Sequence, residues 1–240
     1  MISTAASDDI RAFIDFVERL SGGASLSREG ATEEQIQRFL ELVQRPLPPL
    51  YLGYLREFGR QERVIRFADD ARPDIDSLLR LYEDQVKRGK PSIPRKGVTI
   101  AAQSVSGART LIYGRANWEP IVVENWEKGV GETIARSFRN LLYRKGFSAF
   151  RLPDPPRYAI LANNRQDTLR EALSFGASLG FEPYWFNDAY GACAESEDAW
   201  FVCQQDSRSF VMYLDAHSAA HRDALKKKFV EKVELKSSGS

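Results

Sequence analysis

Apolar residues recur at helical spacing through the first third of the chain. Ile10, Phe13, Ile14, Val17 and Leu20 fall on one face of a helix that Ser7, Asp8 or Asp9 can cap and that Ser21-Gly22-Gly23 stops. Thr32-Glu33-Glu34-Gln35 forms a capping box, so a second helix starts here and carries the stripe Ile36, Phe39, Leu40 and Val43. Pro46, Pro48 and Pro49 end it, because proline lacks the amide donor and pushes the residue before it out of helical geometry. Pro49 suits a first helical position, and Leu50, Tyr51, Tyr54, Leu55 and Phe58 give a third helix its buried face, with Gly59 at its end.

Val64 to Phe67 then reads as a short strand, and Ser77 to Lys87 as a helix capped by Asp76, with Leu78, Leu79, Leu81 and Tyr82 turned inward. Gly97 to Ala102, Thr110 to Tyr113 and Pro120 to Glu124 are short β-rich runs between turn residues, the pattern of an antiparallel meander. A helix reached from Glu132, with the stripe Ile134, Phe138, Leu141, Leu142, Phe147 and Phe150, closes the unit. Helices, then strands, then a helix predict an α+β fold with a mixed helix and antiparallel-sheet domain, and not a parallel sheet.

Leu152-Pro153-Asp154-Pro155-Pro156 reads as a stiff linker. Beyond it the pattern predicts a strand at Tyr158 to Ala162, a helix at Asp167 to Gly180 and a strand at Glu182 to Phe186. Hairpin arms follow at Gly191 to Ala194 and Trp200 to Gln204 around the polar turn Glu195 to Asp198, then a strand at Phe210 to Leu214 and a helix from Ser218 or Ala219 to Val233. This order predicts a smaller α+β domain with both helices on one face of its sheet, resembling a ferredoxin-like unit. The expected division is residues 1–151, a proline-rich linker at 152–157, a second domain at 158–236 and a tail at 237–240.

Charge changes this picture only through its distribution. The 240 residues carry 34 Lys plus Arg against 33 Asp plus Glu, and this balance argues for neither a nucleic-acid binder nor a membrane-surface protein. The amino terminus has no basic region followed by an apolar block, no apolar run approaches bilayer length, and Cys193 and Cys203 are too few for a secreted disulfide framework. These features predict a cytoplasmic protein. Between Asp84 and Glu119 all charges are basic: Lys87, Arg88, Lys90, Arg95, Lys96, Arg109 and Arg115. Between Arg170 and Arg208 all are acidic: Glu171, Glu182, Asp188, Glu195, Glu197, Asp198 and Asp206. The acidic block is interleaved with Tyr184, Trp185, Phe186, Tyr190, Trp200 and Phe201, which serve either as the core of a sheet or as a surface that docks on a basic partner.

Candidate chemistry is sparse. His217 and His221 stand four apart, a spacing at which one helix could offer both rings to a metal, yet Ser218 could equally cap a helix beginning between them. That pair is the basis of the one enzymatic alternative, a metal-dependent hydrolase. Asp69, Asp70, Asp74 and Asp76 lack the order of a calcium loop and are interrupted by Arg72-Pro73. Cys193 and Cys203 could face each other across the hairpin as reduced, buried thiols. Gly129 and Gly131 precede a helix without the lysine of a phosphate loop. Trp118 and Trp126 flank a strand as partial core or as exposed anchors. No cofactor, resident metal or catalytic residue is expected.

Several of these residues carry a resemblance. Thr32 to Ile36, then Arg45-Pro46-Leu47-Pro48-Pro49-Leu50-Tyr51, then Tyr54-Leu55-Arg56-Glu57-Phe58-Gly59 resemble the amino-terminal signature of the SUKH superfamily. In that family an acidic-capped helix is followed by a leucine-proline pair, an aromatic residue and a second helix that ends near Asn-Gly; here the ending is Phe58-Gly59-Arg60, without the Asn. Glu132 to Phe150 is similar to the family's closing helix, so the resemblance spans Ser27 to Arg151. It implies a SUKH-like domain in residues 1–151 and an immunity protein that neutralises a cognate bacterial toxin by protein binding, without catalysis. A basic toxin domain that attacks nucleic acid would fit the acidic block. The family's other implied role is a non-catalytic regulatory scaffold for an endogenous protein. Glu182, Asp188, Glu195, Glu197, Asp198, Trp118 and Trp126 are the candidate partner-binding residues, and neither direct nucleic-acid nor membrane binding is expected.

Overall fold

The structure is a computed structural model, and it describes residues 4–23, 28–60, 67, 73–88, 97–102, 109–113, 121–125, 132–152, 159–163, 167–205, 209–233 and 236–237. Helix α1, Thr4–Leu20, buries Ile10, Phe13, Ile14, Phe16, Val17 and Leu20. Helix α2, Glu33–Val43, starts on the expected box: the Gln35 amide donates to Thr32 Oγ1 over 3.2 Å, and the Thr32 amide donates to Gln35 Oε1 over 3.0 Å. Helix α3, Pro49–Phe58, buries Leu50, Tyr51, Tyr54, Leu55 and Phe58. Its last turn is clasped by the segment before α2, where the Ala31 amide donates to the Leu55 carbonyl and the Arg60 amide to the Glu29 carbonyl. Gly30 makes this approach possible, since a Cβ there would lie 1.6 Å from the Arg56 carbonyl oxygen.

Helix α4, Ile75–Lys87, begins earlier than the sequence predicts. Asp74, in extended conformation, accepts from the Ser77 amide over 2.8 Å, and Ile75 joins Leu78 and Tyr82 in the buried stripe. Asp76 is therefore not the cap; it accepts from the Gln35 side chain over 2.7 Å and ties α4 to α2. The expected strand at Val64 to Phe67 lies outside the described residues except for Phe67, whose buried ring packs on Tyr54 and Phe138.

Strands β1 (Gly97–Ala102), β2 (Arg109–Tyr113), β3 (Ile121–Asn125) and β4 (Glu132–Ala135) form an antiparallel sheet in that order. Strand β4 corrects the reading of Glu132 to Phe150 as one helix: Glu132, Thr133 and Ala135 pair with Glu124, Val123 and Val122. Helix α5, Phe138–Arg151, starts only after Ser137, whose hydroxyl accepts from the Asn140 amide over 3.1 Å. Ile134 and Phe138 are both buried and four apart, so a strand residue and a helix residue together imitate a helical stripe.

The second sheet contains β5 (Ala159–Asn163), β6 (Glu182–Pro183), β7 (Gly191–Glu195), β8 (Ala199–Gln205), β9 (Ser209–Ala216) and β10 (Lys236–Ser237), in the order β10-β5-β9-β8-β7-β6 and antiparallel throughout. Helix α6, Thr168–Ser178, lies between β5 and β6, and helix α7, Ala219–Val233, between β9 and β10. Their residues Leu169, Ala172, Leu225 and Phe229 share one core with Phe181, Phe201, Phe210, Met212 and Leu214, so both helices cover the same sheet face. The strand expected at Glu182 to Phe186 stops at Pro183, and Ser237, assigned to a tail, pairs with Ile160.

The linker placed at 152–157 lies outside the described residues except for Leu152. The second sheet has a core of its own beneath α6 and α7, and its other face joins the core of the first unit. On the other face of the second sheet, Cys193 and Val202 belong to the same buried cluster as Phe13, Tyr51 and Phe147. Phe186 packs on Phe16 and Tyr143 with ring centroids 5.6 Å apart in each case, and Tyr184 packs on Phe147 at 5.1 Å. Helix α5, with Phe16 of α1 beside it, bridges the two units.

Candidate protein-binding surface

The acidic block divides into residues consumed inside the molecule and residues left at its surface. Asp188 is consumed. Its side chain is 3% exposed and lies 3.3 Å from the Arg144 guanidinium of α5, itself 4% exposed. One carboxylate oxygen accepts from the amides of Tyr190 and Gly191, the other from the Arg136 amide. Arg144 also donates to the Ile134 carbonyl. Gly191 is what lets the guanidinium lie against β7, because a Cβ there would stand 2.2 Å from Arg144 Nη1. This corrects Asp188 as a partner-binding residue: a carboxylate with four internal donors and no open side joins α5 to the β6–β7 turn.

Glu195 is half consumed. Arg151 reaches it over 3.2 Å, the Tyr184 hydroxyl donates to it, and the same guanidinium sits 5.5 Å above the Trp200 ring. Burial and the adjacent Glu195 carboxylate push the Tyr184 hydroxyl well above the usual phenol range. Glu182 stands directly opposite Glu195 across the β6–β7 pair, and it is exposed. Glu197 and Asp198 are exposed in the β7–β8 turn. Glu182, Glu195, Glu197 and Asp198 thus gather at one corner of the second sheet. Trp118 and Trp126 lie outside the described residues.

The histidines do not share a helical face. Helix α7 begins at Ala219, with the Ser218 hydroxyl accepting from the His221 amide, so His217 precedes it. His217 meets the edge of Trp200 at 5.3 Å, and His221 Nδ1 lies 3.0 Å from Asp198 Oδ2. Among the described residues, no group of three or more His, Cys, Asp and Glu side chains is placed to hold a metal ion.

Cys193 and Cys203 are free, buried and not cross-strand partners. The register sets Cys193 opposite Val202 and Cys203 opposite Ala192, so the two thiols point to opposite faces of the sheet. Burial pushes both thiols far above the ordinary thiol range. A thiol reagent is therefore expected to leave the native protein unmodified at neutral pH and to react at both positions once urea unfolds it. Stoichiometric labelling of the native protein within minutes would refute this placement.

Trp185 is the surface residue the candidate set omitted. It is 62% exposed, although its neighbours Tyr184 and Phe186 turn inward. The sequence shows it only as one aromatic among several, with nothing to separate the exposed ring from the buried ones. Among the described residues, no helix is long and apolar enough to cross a membrane. Comparison with protein-family models, with curated proteins and with solved structures finds no match.

Proposed function

We propose that the chain is a SUKH-type immunity protein that acts in the cytoplasm, binding a cognate toxin stoichiometrically and transforming no molecule. The observation that carries this reading is the acidic corner. Glu182 and Glu195 are like charges in direct cross-strand register, an arrangement that weakens a sheet, and Arg151 compensates only Glu195. A basic partner would relieve the repulsion, and Glu197 and Asp198 beside it would raise the encounter rate. The capped α2, the proline joint and α3 support the resemblance at its most specific stretch. The order strand, helix, meander, helix, strand, with the last strand beside the first, supports an enlarged ferredoxin-like reading of the second unit.

The test is to pull the chain's partner from its native cell, identify it by mass spectrometry, and co-express it with the chain as the toxin. Growth rescue and a co-purifying stoichiometric complex are expected. Replacing Glu182, Glu197 and Asp198 together by Lys should slow association at low salt roughly tenfold or more and flatten its salt dependence. A toxin that stays fully active with the chain in excess, or rescue that proceeds through turnover of a substrate, would overturn the proposal.

A further inference from the structure

Val86 and Trp185 are the large apolar side chains left exposed among the described residues, and Trp185 is held there by a fixed turn. The Tyr184 amide donates to the Cys193 carbonyl, and the Asn187 side chain closes a pair of hydrogen bonds with the Cys193 backbone at 2.8 and 3.0 Å. The Asn140 side-chain amide of α5 donates to the Phe186 carbonyl over 2.8 Å, and Asp188 gathers the amides of Tyr190 and Gly191. Trp185 therefore cannot turn inward without expelling Phe186, which is fully buried. Its indole stands edge-on to Tyr143 at 4.9 Å and to Phe186 at 5.6 Å, a rigid base beneath an open face. An aromatic ring presented this way loses little conformational freedom when it binds, the property of an interface hot spot.

The surrounding charge decides what can sit on it. The strip from 171 to 205 that carries Trp185 holds acids and no Lys or Arg. An anionic bilayer or a nucleic-acid backbone would meet no net positive field here. A protein pocket that is apolar at its centre and basic at its rim matches the patch.

We infer that Trp185, seated on Tyr143 of α5, is the central anchor by which this chain docks into an apolar pocket of its protein partner. This rests on the toxin-binding reading and adds an apolar centre beside the acidic corner, three residues on from Glu182. The test measures binding of the toxin partner, purified after its identification by pull-down and mass spectrometry, to wild type, Trp185→Ala and Trp185→Phe by surface kinetics, with sedimentation of each chain alone. Trp185→Ala is expected to keep the wild-type melting temperature and to raise Kd about 30-fold or more, mainly through faster dissociation, with Trp185→Phe in between. Wild-type binding that Trp185→Ala changes less than threefold would overturn the anchor and leave the toxin-binding reading standing. Failure of wild type to bind would overturn both. A wild-type homodimer lost in Trp185→Ala would assign the patch to a second copy of this chain and overturn the proposal.

Discussion

Replacing Asp188 by Ala is expected to lower stability by about 3–5 kcal/mol, the range for removing one partner of a buried ion pair. The substitution strands the Arg144 guanidinium in a buried site with the Ile134 carbonyl as its remaining hydrogen-bond acceptor among the described residues, and it leaves the amides of Arg136, Tyr190 and Gly191 without the Asp188 carboxylate. Urea unfolding followed by circular dichroism measures the loss. Pairing the change with Arg144→Met should recover part of it, because the double variant no longer buries an uncompensated charge. A single-variant loss under about 1 kcal/mol would mean that the pair is open to water and contributes as surface pairs do.

Gly30→Ala is the second large effect. The added methyl would meet the Arg56 carbonyl oxygen at 1.6 Å and its carbon at 2.6 Å, and backbone atoms inside a helix cannot swing aside as a side-chain tip can. Either α3 or the segment 28–31 has to move. Movement breaks the Ala31-to-Leu55 and Arg60-to-Glu29 hydrogen bonds, and it pulls apart the ion pairs Arg28–Glu57, Arg56–Glu33 and Arg60–Glu29 that span the same joint. The expected cost is about 3 kcal/mol, at the upper end for overpacking, and roughly 6–12 °C in melting temperature for a chain of this size. An unchanged melting temperature would show that the joint is looser than its geometry.

What the sequence disclosed was what local chemistry decides. The capping box at Thr32, the proline joint and the glycine at position 59 act within a few residues, and α2 and α3 form where they direct. Errors began where a distant partner decides. Ile134 reads as helical until its neighbours Thr133 and Ala135 pair with β3 and make it part of a strand, and Asp76 reads as a cap until Gln35, 41 positions earlier, takes its carboxylate. The surface divided in the same way. Glu182, Glu197 and Asp198 do face solvent. Asp188 carries the same charge in the same block and is buried, because Arg144 comes to it from 44 positions away. Trp185 inverts that case: only the closing of its turn by Asn140 and Asn187 sets it apart from Tyr184 and Phe186.

Helix α5 has neighbours on several sides at once. Gly146 admits Phe13 and Val17 of α1, Phe138 meets Tyr51 and Tyr54 of α3, and Arg144 and Phe147 reach the second sheet. A helix so enclosed works as the keystone of an arch, and neither flank can shed it without baring the aromatic rings of the other. Evolution could revise the outer loops of each half separately, whereas a change along this inner rod has to satisfy both halves in one step.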